Sequence, residues 1–65
     1  MERKLAMAKI ERAMKYIRAI RNPGKKAYAL AYLGFLNGEA PPDEGGFGIG
    51  IMARGAVRLR INELI

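Results

Sequence analysis

Residues 47–62, FGIGIMARGAVRLRIN, decide the fold class of this chain. As strands they alternate cleanly. Phe47, Ile49 and Ile51 alternate with Gly48, Gly50 and Met52, and Val57, Leu59 and Ile61 with Arg58, Arg60 and Asn62. A three-residue loop, Arg54-Gly55-Ala56, would pair Ile51 with Leu59 and Ile49 with Ile61, placing both apolar sets on one side. As a helix, residues 52–65 scatter their apolar side chains almost all the way round, with Arg60 among them. Gly48, Gly50 and Gly55 also oppose that reading, although the ending Asn62-Glu63-Leu64-Ile65 suits a helix better. The alternation favours a small C-terminal β-hairpin over 47–62.

Upstream, residues 38–46, GEAPPDEGG, read as an acidic loop stiffened by Pro41-Pro42 and freed at its end by Gly45-Gly46. Before it, Asn22 is a good helix cap and Pro23 a good first helical residue, because its missing N–H costs nothing there. Asn37-Gly38 supplies a left-handed stop. These signals predict a helix over 23–36. Its stretch AYALAYLGFL, residues 27–36, has no charged side chain. Small Ala27, Ala31 and Gly34 share one face, aromatic Tyr28, Tyr32 and Phe35 a second, and Ala29, Leu33 and Leu36 a third.

Residues 3–21 read as an amphipathic helix. Ala6, Ile10, Ala13, Ile17 and Ile20 form its apolar stripe, with Lys4, Glu11, Lys15 and Arg18 opposite. Glu11 stands four residues before Lys15, the favourable order for a helical ion pair. The link to the second helix is short, so the two should pack antiparallel. The expected fold class is therefore α+β: one domain over residues 1–65, an antiparallel helical hairpin followed by the β-hairpin. The alternative is all-α, with three helices.

The chain has 65 residues, 12 Lys or Arg against 6 Asp or Glu, and no Cys or His. A domain this small buries only about 60% of its unfolded surface. Disulfides and thiolate or imidazole metal sites are excluded, and oligomerisation remains the route to further burial. No cofactor is expected. The three loop acids Glu39, Asp43 and Glu44 do not have the spacing of a calcium loop. The glycine-rich run before Ile51 matches neither a phosphate loop nor a dinucleotide fingerprint. Nothing pairs two carboxylates for acid–base work, so an enzyme is not expected. The opening Met1-Glu2-Arg3-Lys4 runs into a charged amphipathic segment and does not read as a leader. A membrane partner is not expected, and the default location is cytoplasmic. Absent Gln and Cys, with abundant Arg, Lys and Glu, suit a thermophile.

Residues 1–26 hold nine basic and two acidic side chains. Arg12, Lys15, Arg18, Arg21, Lys25 and Lys26 fall within 15 residues that contain no acid. The backbone N–H groups at the start of the second helix would add an anion-binding end. In the hairpin reading Arg58 and Arg60 share a polar face and extend the site. The leading expectation is a small, basic, oligomeric protein that grips the phosphate backbone of DNA or RNA with little sequence readout. The alternative is a non-catalytic accessory subunit that self-associates, as a dimer first, or docks on a partner protein. Its expected interface is Tyr28, Tyr32, Leu33, Phe35 and Leu36, since a helix apolar on every side needs more cover than one neighbour provides.

Overall fold

Asn22, Pro23, Asn37 and Gly38 bound the second helix as their chemistry requires. The protein's structure is a computed structural model that describes residues 4–65; the expected helix start at Arg3 lies outside them. Helix α1 spans Met7–Ala19, α2 Pro23–Leu36 and α3 Ile51–Leu64. At the start of α2, Asn22 Oδ1 accepts the Lys25 N–H at 3.0 Å. At its end Gly38 adopts φ 105°, and the N–H groups of Gly38 and Glu39 return to the carbonyls of Phe35 (3.1 Å) and Gly34 (2.9 Å).

Helix α1 is shorter than the expected 3–21. The backbone N–H groups of Lys4 and Leu5 both donate to Asn37 Oδ1, at 2.9 and 3.0 Å. That pins the segment before Met7 to the end of α2 instead of letting it wind into the helix. Ile20 turns extended, and three residues join α1 to α2. With the start of α1 beside the end of α2, the two helices run antiparallel, as the short link requires.

The C-terminal β-hairpin is not present. Among the described residues there is no strand, and residues 51–64 form α3, so the all-α alternative describes the fold. Two of the glycines counted against a helix, Gly48 and Gly50, precede it, and only Gly55 lies inside. Met52, Ala53, Arg54, Ala56, Arg58, Leu59 and Arg60 are good helix formers or tolerate a helix well. A lone two-stranded ribbon would be marginal in water. A helix satisfies its own backbone and still offers an apolar side to the core.

Helices α2 and α3 run in the same sense. Gly24 lies against Phe47 and Ile49, Tyr28 meets Arg58, and Tyr32 meets Asn62. Two such helices need a long return connection. The acidic Pro/Gly segment supplies it, travelling back along α2 until Glu44 reaches Tyr28.

The core is built from Ala13 and Ile17 of α1, Tyr28, Ala29, Tyr32 and Leu33 of α2, and Val57 and Ile61 of α3. Phe47 and Ile49 fold in from the connection. Tyr28 stacks on Tyr32 with ring centroids 6.4 Å apart and meets Phe47 edge-on at 5.4 Å. The backbone carbonyl of Phe47 lies so close over Gly24 that a β-carbon there would overlap it. A glycine is therefore needed where the connection crosses the start of α2. Tyr28, Ala29, Tyr32 and Leu33 of α2 are covered, whereas Ala27, Leu30 and Phe35 stay exposed.

Candidate nucleic-acid interface

Helix α1 turns Ala13 and Ile17 inward, so its 3.6-residue period carries Glu11, Lys15 and Arg18 outward. Arg12, Lys15 and Arg18, with Ala8 and Glu11, line one shallow, open depression. Arg12 and Lys15 also line a second, together with Tyr16, Arg60 and Leu64. The two depressions share Arg12 and Lys15, so four of the expected binding residues form one continuous face across α1 and the end of α3. Arg12 does structural work there too. Its Nε donates to the Leu64 carbonyl at 2.8 Å, satisfying an otherwise unpaired acceptor at the end of α3.

The ion pair expected between Glu11 and Lys15 is not formed within 4 Å; the described ion pairs involve Arg54, Arg58 and Arg60. Arg60 Nη1 stands 3.7 Å from Glu63 Oε1, with both side chains largely exposed, a contact of little energetic weight. No carboxylate among the described residues pairs with Lys15, Arg18, Arg21, Lys25 or Lys26.

Arg21 is exposed in the α1–α2 link, and Lys25 and Lys26 are half-buried in the first turn of α2. The expected anion-binding end of α2 is largely occupied by the protein itself. The Lys25 N–H goes to Asn22 Oδ1, the Lys26 N–H goes to the Asn22 carbonyl at 2.9 Å, and Phe47 crosses Gly24. These side chains add positive charge around the link without an open amide cradle.

Arg58 does not join Arg60. Two residues along a strand share a face, but two residues along a helix point about 200° apart. Arg58 instead turns to the α2 side, where its Nη1 donates to Tyr28 Oη at 2.7 Å and lies 3.6 Å from Glu44 Oε2. The Tyr28 bond chiefly, with the nearby Glu44 charge, raises the guanidinium pKa above its ordinary value. Arg54 joins the same group. Its Nε is 2.7 Å from Glu44 Oε2, and its Nη1 donates to the Ile49 carbonyl at 2.9 Å. Glu44 thus fastens the return connection to α3 through two arginines. Sequence reasoning missed this role, since Glu44 lies ten and fourteen residues from its partners. Asp43 Oδ1 closes a local turn by accepting the Gly45 N–H at 3.2 Å. No group of three or more potential metal ligands is brought together among the described residues.

The expected association surface on α2 is also redrawn. Tyr28, Tyr32 and Leu33 are buried by α1, α3 and the Phe47 segment of the same chain, so they offer no surface to a second one. Tyr32 Oη is hydrogen-bonded to Asn62 Oδ1 at 3.0 Å. Leu36 is half-buried, and Phe35 alone of the five is substantially open, 41% exposed. The cover that α2 needs comes from within because α3 is a helix with an apolar side, which a thin hairpin would not have supplied. No helix among the described residues is long and apolar enough to cross a membrane. No protein-family model, curated protein or solved structure matches the chain.

Proposed function

We propose that this protein binds the phosphate backbone of DNA or RNA through the outward face of α1 and the end of α3. The observation that supports the reading is the convergence of Arg12, Lys15 and Arg60, from two helices, around one open depression, continued by Arg18. The face is open and shallow, which suits a polymer's charged edge better than an enclosed small molecule. Its cations are long and exposed, and three of the four, Arg12, Arg18 and Arg60, carry guanidinium groups able to grip phosphate oxygens. Contacts of this kind position a protein on a nucleic acid without reading its sequence. Arg21, Lys25 and Lys26 extend the positive field around the α1–α2 link and speed encounter.

Fluorescence anisotropy with labelled duplex DNA and duplex RNA tests this. Four phosphate contacts give a slope of log affinity against log salt of roughly −3.6, a loss of roughly 150-fold between ~50 and ~200 mM salt. The double substitution Lys15→Glu with Arg60→Glu should weaken binding to unrelated sequences alike and flatten that slope by about half. Binding that ignores salt, or that survives the double substitution, would refute the proposal.

A further inference from the structure

The outward side of α3 is unlike that of α1. Met52 is 85% exposed, Ile51 70% and Leu59 64%, and Ala56 is exposed between them. The two arginines within this span, Arg54 and Arg58, are turned away and tied to Glu44. From Ile51 to Leu59 the outer surface of α3 is therefore apolar and uncharged, in a protein with a net charge of +6.

Gly55 sits in the middle of this helix, and the fold has no use for it there. A β-carbon at Gly55 would meet only Arg58 Nη2, at 4.0 Å, and the residue does not take a positive φ. A mid-helix glycine nevertheless costs about 1 kcal/mol relative to alanine. Close approach by another backbone would account for that cost.

We propose that two copies of this chain associate through the outward faces of α3, packed antiparallel about Gly55 and Ala56. A two-fold interface must be complementary to itself. The outer stripe meets that condition: Met52, Gly55, Ala56 and Leu59 read large, small, small, large in either direction. Reversed on itself about its centre, the stripe sets Met52 against the partner copy's equivalent of Leu59, and small residues against small at the crossing. The charges agree with this orientation. The N-terminal end of α3 has no side-chain cap and no acid in its first turn, so its N–H groups remain a positive end. Antiparallel pairing carries Glu63 of each copy toward that end of the other helix, with Arg60, 3.7 Å from Glu63, on the flank of the contact. Parallel pairing would instead bring the two copies of Glu63 together. The occupant is thus a second copy of this chain, not an unspecified partner.

Light scattering after size exclusion, at hundreds of micromolar protein, should give twice the 7.2 kDa of one chain. The double substitution Met52→Glu with Leu59→Glu should halve the mass while leaving the helical circular dichroism unchanged, because both side chains are exposed in the single chain. Gly55→Leu should do the same by blocking close approach. Leu30→Glu, on the open face of α2, should leave the dimer intact. The chain has no cysteine, so orientation can be read directly. Oxidising a mixture of Met52→Cys and Leu59→Cys proteins should give the mixed cross-link in preference to either like pair. A single-chain mass for the unsubstituted protein would overturn the proposal. So would a dimer that survives the α3 substitutions, dissociation by Leu30→Glu, or preferential like-pair cross-links.

Discussion

Helices α1 and α3 make the same inward contribution and opposite outward ones. Each buries a pair of apolar residues four apart, Ala13 with Ile17 and Val57 with Ile61. Outward, α1 presents Glu11, Lys15 and Arg18, whereas α3 presents Met52, Ala56 and Leu59. Folding of the single chain needs only the inward side of each. The outward sides are left for other contacts, which we propose are with a polyanion for α1 and with a second copy for α3.

The strongest way to break this comparison is to probe the inward sides. Ile17→Ala and Ile61→Ala each empty a fully covered site and should each cost about 2–5 kcal/mol in denaturant unfolding. If either cost under about 1 kcal/mol, the two helices would not share the core equally. A smaller loss is expected from Tyr28→Phe. It keeps the buried ring but removes the hydroxyl that accepts from Arg58, for about 0.5–1.5 kcal/mol by the same measurement.

Gly55→Ala sharpens the outward side of α3. In the monomeric Met52→Glu, Leu59→Glu background it should stabilise the chain by up to about 1 kcal/mol, since the new methyl group meets no close neighbour. Destabilisation there would mean that the single chain does require the glycine. The smallest stability effect belongs to the outward side of α1. Lys15→Ala should change unfolding free energy by under about 0.5 kcal/mol while lowering affinity for a nucleic-acid duplex in anisotropy titrations. A large stability change would place Lys15 in the fold and not in the binding face.

The helices differ as much in legibility. In α1 the apolar and charged positions separate at helical spacing, so both its state and its outward face can be read directly. From the sequence, the amides at the start of α2 are expected to join the basic run from Arg12 to Lys26. The fold instead uses those amides for Asn22 and brings Arg60 from α3 to Arg12 and Lys15. In α3 apolar residues occupy both the inward and outward sides, so the helical period cancels, and β-branched Ile49, Ile51, Val57 and Ile61 imitate strands. The same cancellation hid the separation of Arg58 from Arg60. It also hid the cover that α3 and Phe47 give to Tyr28, Tyr32 and Leu33, the residues expected to meet a partner.

Local chemistry settled α2 from the sequence alone. Its caps, Asn22 with Pro23 and Asn37 with Gly38, act on backbone groups within a turn of themselves and need no distant neighbour. The excess of positive charge in the first helix is likewise a property of the sequence. The helical state of residues 51–64, the fastening of Arg54 and Arg58 by Glu44, and the division of apolar surface into buried and exposed were decided only in three dimensions. Each depends on groups far apart along the chain, and no local period or cap records which of them the packing will bring together.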